Sequence, residues 1–173
     1  MKKMKRFLLL GTMVALLLVG VYGAWAIHEI IPSETIAPLP GIDAEKLNEY
    51  IVRFNPYRAW EMWPGKERLY KGAEPHGAMV TTFVNPAAYF SAKDKKGIAY
   101  DSIIVQENYS ADKKFVALTV MYRVKGYNPE GGDWFWAKYA ADGKVMASGK
   151  VKECIDCHGK KRDNDYIMTS PVK

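Results

Sequence analysis

Between residues 78 and 148 the chain is written as short β-branched and aromatic runs separated by turn residues, and this punctuation constrains its architecture more than any other feature. Residues 78–84 (AMVTTFV) are halted by Asn85-Pro86. Residues 102–106 (SIIVQ), 115–124 (FVALTVMYRV) and 134–139 (WFWAKY) follow, with Asn128-Pro129-Glu130-Gly131-Gly132 as turn material between the last two. Asp142-Gly143 predicts a two-residue hairpin into residues 144–148. Consecutive strands with short connections pair antiparallel, because parallel pairing would need a long crossover after each strand.

Helical spacing is confined to the flanks and to one insertion. Asp43 is placed to cap a helix in which Leu47, Tyr50, Ile51 and Phe54 recur, ended by Asn55-Pro56. A second short helical piece is expected to carry Trp60 and Trp63 before Pro64-Gly65, and a brief helix is expected over residues 87–93. The fold class is therefore α+β, a mainly antiparallel sheet with flanking helices. There is no internal repeat.

The first 26 residues stand apart. Lys2, Lys3, Lys5 and Arg6 precede an apolar run over residues 7–22, and Ala24-Trp25-Ala26 fits a small-x-small cleavage site. Residues 1–26 read as a signal peptide or, uncleaved, as an N-terminal membrane anchor; either directs the remainder to the periplasm. Residues 27–42, with Pro32, Pro38 and Pro40, read as an extended linker, and residues 43–173 as the folded domain. The formal charge of +6 comes largely from the leader: without residues 1–26 there are 21 basic against 19 acidic residues, a net of +2. So balanced a domain has no electrostatic footprint for a phosphate backbone, which excludes nucleic acid as a partner class.

Cys154-Ile155-Asp156-Cys157-His158 is C-x-x-C-H, the attachment pattern of a c-type haem. On a helical turn the two thiols lie close enough to form thioethers with the two vinyl groups, and the adjacent imidazole swings beneath the iron as proximal ligand. A structural zinc site would want four Cys or His ligands, and the remaining histidines, His28 and His76, are far away in sequence. A thioredoxin-type pair would sit early in a βαβ pattern, and a simple disulfide leaves His158 without a role. One covalently attached haem c is the expected cofactor. Only 15 residues follow His158, so a sixth ligand must come mostly from upstream, and a five-coordinate iron is the alternative.

The motifs, in order, are Glu74-Pro75-His76-Gly77, Asn85-Pro86, Ile103-Ile104-Val105-Gln106-Glu107-Asn108-Tyr109, Gly131-Gly132-Asp133-Trp134-Phe135-Trp136, Cys154 to His158, and Asp165. This string resembles the cytochrome P-460 family, which includes the cytochromes c′-β, over roughly residues 43–170. The resemblance implies a mainly antiparallel β fold, usually a homodimer, with one haem c, a proximal His158, and an open or sterically capped distal side. Members either oxidise hydroxylamine or bind nitric oxide and carbon monoxide. In the hydroxylamine-oxidising members a lysine of a V-K-E strand motif is cross-linked to the haem edge; the matching position here is Gln106, whose amide cannot supply an amine nucleophile. Lys113 and Lys114 come later, in a turn.

The distal side has two candidate contributors, His76 and Gln106. Neutral imidazole is a good iron ligand, so His76 would make a bis-histidine, low-spin centre suited to electron transfer; the plainer reading is a turn histidine beside a permissive Gly77. Glu107 matches the family's acid and is a candidate proton relay, although alternation along a strand turns Gln106 and Glu107 to opposite faces, which would leave Glu107 as a solvated strand-end charge. Met79, Met121 and Met146 read as core filler, and Met168 is too close to His158 in sequence to reach the opposite side of a haem. Trp134 and Trp136 share one face and, with Phe135, read as core and haem wall. His28 reads as a bystander. The expected function is an exported monohaem cytochrome engaged in electron transfer, with a redox partner protein, or in diatomic ligand binding. Alternatives are a haem redox enzyme acting on hydroxylamine or nitric oxide, and a domain in which haem is a structural staple.

Overall fold

The computed structural model describes residues 38–173, so the leader, most of the linker and His28 lie outside the described residues. Helix α1 (Ala44–Glu49) begins as its cap predicts, the Asp43 carboxylate accepting the Lys46 N–H at 2.9 Å. Beyond Glu49 the ladder widens into a π-helical turn, Tyr50–Phe54, closed by Asn55 N–H donating to the Tyr50 carbonyl. The wider turn keeps Tyr50 and Ile51 buried but rotates Phe54 off the apolar stripe, leaving it 60% exposed.

The helix expected to carry Trp60 and Trp63 does not form. A 3-10 turn, Tyr57–Ala59, ends before them, and Glu61–Met62 is instead a two-residue strand, β1. It and β2 (Tyr70–Lys71) both pair with one edge of β3 (Met79–Val84), whose unpaired backbone offers more hydrogen bonds than one isolated helical turn would keep. Asn85 ends β3 and performs three tasks: its side chain accepts from Ala88 N–H to cap α2 (Pro86–Asp94), accepts from Ile103 N–H, and donates to the Asp101 carbonyl.

Strands β4 (Ile103–Tyr109), β5 (Phe115–Arg123), β6 (Trp134–Ala140) and β7 (Val145–Gly149) complete a seven-stranded antiparallel sheet in the order β1-β3-β4-β5-β6-β7, with β2 also on β3. The β6–β7 connection is one residue longer than predicted: Ala141, Asp142 and Gly143 lie between Ala140 and Lys144, which close the loop, with Gly143 at φ +88°. Helix α3 (Lys152–His158) and a 3-10 segment, Gly159–Asn164, follow. No helix among the described residues is long and apolar enough to cross a membrane. The expected α+β class is thus what the chain adopts, with more sheet edge than its sequence suggested.

Alternation assigns every inward side chain to one of two faces. One carries Phe83, Val105, Leu118, Val120, Phe135 and Tyr139 against α1. The other carries Val84, Ile104, Trp134 and Trp136 against α2, α3 and the C-terminal segment, Tyr166 and Ile167 included. Met79 and Met121 are half-buried, but Met146, expected as core filler, is 58% exposed because β7 is an outer strand with one face bare.

Candidate functional site

On α3 Cys154, Cys157 and His158 are separated by three and four positions, so all three share one side of the helix. Both cysteines are free and half-buried, Cys154 packing against the second core, where burial pushes its thiol up. The His158 ring lies edge-on to Trp136, centroids 4.7 Å apart. Its Nδ1 is 2.8 Å from the Tyr166 carbonyl oxygen. A carbonyl only accepts, so Nδ1 carries the proton and Nε2 keeps its lone pair, the tautomer a metal ligand requires.

The Tyr166 carbonyl is held in place by an unusual backbone. Asp165 and Tyr166 have φ of +52° and +67°, left-handed conformations that non-glycine residues rarely adopt. Around them, Ile98 N–H and Lys173 Nζ donate to the Asp165 carboxylate at 2.7 Å each, Arg123 adds an ion pair at 3.1 Å, and Trp134 Nε1 donates to the Asp165 carbonyl. Burial alone would raise the Asp165 pKa, but Lys173, the Ile98 N–H and Arg123 outweigh it and hold the carboxyl below its ordinary value. Gly132, at φ +69°, lies under the Tyr166 ring; a Cβ there would be 2.5 Å from Cε2. The Gly-Gly-Asp-Trp segment therefore makes room for the residue that orients His158.

His76 arrives from the other side. Its loop lies directly on the end of β4: a Cβ on Gly77 would be 2.3 Å from the Tyr109 carbonyl, and one on Gly72 would be 2.0 Å from that of Gly77. This close approach sets His76 Nδ1 3.2 Å from Asn108 Oδ1. The two imidazoles face each other with centroids 6.1 Å apart and planes at 89°. Desolvation by burial is the main cause that lowers both pKa values, so both rings are neutral near pH 7.

A polar row runs along the sheet face that also carries Asn108 and Trp136. Thr82 on β3 donates to Gln106 on β4, Tyr70 bonds Thr82 at 2.7 Å, and Gln106 donates to Asn108. Across the register follow Thr119 on β5 and Lys138 on β6. Lys138 is half-buried, its side chain makes no hydrogen bond or ion pair among the described residues, and its charge acts on both His76 and Cys154. Asn108, Lys138 and Tyr166 were given no role by sequence reasoning; the first two share a strand face with Gln106 and Trp136, which a count by twos exposes, whereas Tyr166 acts through its backbone and leaves no sequence signal.

Glu107 is elsewhere. It faces the α1 side, 1% exposed, accepting from Tyr57 and Arg58 at 2.8 Å and from Tyr109 at 2.6 Å. The expected solvated strand-end charge is corrected, because the Tyr57–Ala59 turn covers this end of the strand, and alternation puts Glu107 on the sheet face opposite His76. Burial first, then the bond to Glu107, pushes the Tyr109 hydroxyl up to about 12. Lys113 and Lys114 lie in the exposed β4–β5 turn, Lys114 paired with Asp112.

Several features fit a haem. Two imidazoles on opposite sides of one metal, at metal–nitrogen bonds of about 2 Å, have ring centroids about 6 Å apart, matching the spacing here. Trp136 Nε1, against His158, is buried with no hydrogen-bond partner, a donor awaiting a group that the chain itself does not supply.

The family model described as Cytochrome P460 matches residues 55–169, from the Tyr57 turn through α3 to the C-terminal segment. No curated protein matches the chain. With two-thirds of its length covered, including both flanks of the facing histidines, this chain belongs to the cytochrome P460 family of haem proteins.

Proposed function

We propose that the protein is an exported, periplasmic cytochrome carrying one haem c, tethered through Cys154 and Cys157, with His158 and His76 as its two axial ligands, and that it transfers electrons to a redox partner protein. The observation that carries this reading is the pair of facing imidazoles, 6.1 Å between centroids, each with its Nδ1 committed to an oxygen acceptor. When bound, a haem supplies a one-electron iron couple and, where an axial position is open, a site for a diatomic ligand.

The chain's own residues would do the rest. Cys154 and Cys157 fix the cofactor to α3, the Tyr166 carbonyl and Trp136 fix the His158 ring, and Asn108 fixes His76 from the opposite side. Two neutral nitrogen ligands leave the centre closed to substrate, so electron transfer rather than hydroxylamine oxidation follows. Gln106 in place of the family's lysine and Glu107 on the far face both weigh against the oxidative chemistry.

The test is the absorption spectrum of purified holoprotein and of His76→Ala, ferric and dithionite-reduced, with and without carbon monoxide. The proposal expects low-spin spectra for the parent protein, and for His76→Ala a high-spin iron that takes up carbon monoxide readily. A high-spin parent protein, or a His76→Ala spectrum identical to it, would refute the ligand assignment.

A further inference from the structure

Resting on that reading, we infer that Asn108 is the positioning residue that makes His76, rather than His158, the displaceable ligand, and that Gln106 sets how firmly it is held by competing for the same oxygen. The orientation of the Asn108 amide is fixed by its surroundings. Its Nδ2 donates to the Gln106 carbonyl at 3.0 Å, with the Ala117 carbonyl and Thr119 Oγ1 each at 3.1 Å. Two of those neighbours are carbonyls, so the amide nitrogen must face them and Oδ1 must face His76. His76 Nδ1 is therefore the donor, and Nε2 is the free nitrogen.

Both histidines reach the same tautomer, but not with the same support. His158 Nδ1–H has the Tyr166 carbonyl at 2.8 Å, a backbone acceptor locked by the left-handed Asp165-Tyr166 pair. His76 Nδ1–H is 3.2 Å from an oxygen that also faces Gln106 Nε2 at 3.3 Å and Gly77 N–H at 3.4 Å. One oxygen with two lone pairs is shared among three donors. The hydrogen bond at Nδ1 raises the basicity of the nitrogen that binds the metal, so the shared, longer bond makes His76 the poorer ligand. It is also carried by a loop, whereas His158 adjoins the two tethering cysteines.

The two neighbours of Oδ1 predict effects of opposite sign, which a merely structural role would not produce. Asn108→Leu removes the acceptor and loosens His76; Gln106→Met removes a competing donor and tightens it. The experiment titrates dithionite-reduced holoprotein with carbon monoxide, which must displace His76 to bind, and records the reduction potential of each variant. Relative to the parent protein, Asn108→Leu should need about tenfold less carbon monoxide for half-conversion. Gln106→Met should need several-fold more and have a lower potential, because a more basic ligand favours ferric iron. The inference is overturned if Gln106→Met shifts in the same direction as Asn108→Leu or stays within about twofold of the parent. Gln106 is only half-buried, so its variant stands as a test even if Asn108→Leu fails to fold. A His76→Ala variant that titrates like the parent protein would instead overturn the ligand assignment, and this inference with it.

Discussion

The two faces of the sheet handle their polar groups in opposite ways. On the α1 face, Glu107 is buried with a full set of donors, two tyrosine hydroxyls and a guanidinium. On the α3 face, Trp136 Nε1 has no partner, Lys138 has no counter-ion among the described residues, and two imidazoles whose Nδ1 atoms are committed to oxygen acceptors lie with ring centroids 6.1 Å apart. A face whose hydrogen bonds close on themselves is a core; one that leaves a donor, a cation and two lone pairs unmatched is arranged around something else. The same strand serves both, since adjacent residues of β4, Gln106 and Glu107, fall on different sides.

The contrast can be broken most severely at Glu107. Replacing it by Ala should cost about 3 kcal/mol, since the Tyr57 and Tyr109 hydroxyls and Arg58 lose their common acceptor. Denaturant unfolding should report that loss while the visible spectrum of folded holoprotein is unchanged. A spectral change would mean that the faces are not independent.

Gly132→Ala sharpens the contrast from the other side. The left-handed φ and a Cβ only 2.5 Å from the Tyr166 ring predict a loss of about 2 kcal/mol. Here the spectrum should shift as well, because Tyr166 carries the acceptor of His158. A stability loss without a spectral change would show that the Tyr166 carbonyl does not orient the ring.

Acid separates the anchors of the site. The lowered pKa of Asp165 means that its contribution to stability is complete above the ordinary carboxylate value and is lost as the pH falls through the lower folded value. Unfolding free energy followed from neutral to strongly acid pH should therefore decline steeply in the parent protein and less steeply in Asp165→Asn. Identical slopes would remove Asp165 as the source.

The smallest effect on stability is expected at Lys138. Lys138→Met, at a half-buried position whose side chain has no hydrogen bond or ion pair to lose, should change stability by less than about 0.5 kcal/mol. Its charge nevertheless acts on the site, and a cation near the iron disfavours the more positive ferric state. The variant should have a lower reduction potential, measured by spectroelectrochemistry; an unchanged potential would place Lys138 outside the field of the iron.

Much of this contrast was legible in the chain. Runs of β-branched residues between turns marked the four long central strands, Asp43 marked a helix start, Asn85-Pro86 marked a strand end, and C-x-x-C-H marked α3. Period two separated Gln106 from Glu107. What stayed hidden depends on contacts between segments distant in sequence. The edge strands β1 and β2 are two residues each, too short for any periodicity, and exist only because β3 offers an open edge. Glu107 looked like a solvated charge because its donors Tyr57 and Arg58 lie about fifty positions upstream. The approach of His76 to His158 depends on Gly77 resting on the Tyr109 backbone, which appears in the sequence only as a glycine after a histidine.

The central claim is that His76 and His158 bracket one iron, and its most direct test is the low-temperature electron paramagnetic resonance spectrum of ferric holoprotein. Near-perpendicular imidazole planes, 89° apart here, predict a low-spin signal of the strongly anisotropic type with one large g value, abolished in His76→Ala. A high-spin axial signal from the parent protein would contradict the account, and so would a low-spin signal that survives the loss of His76.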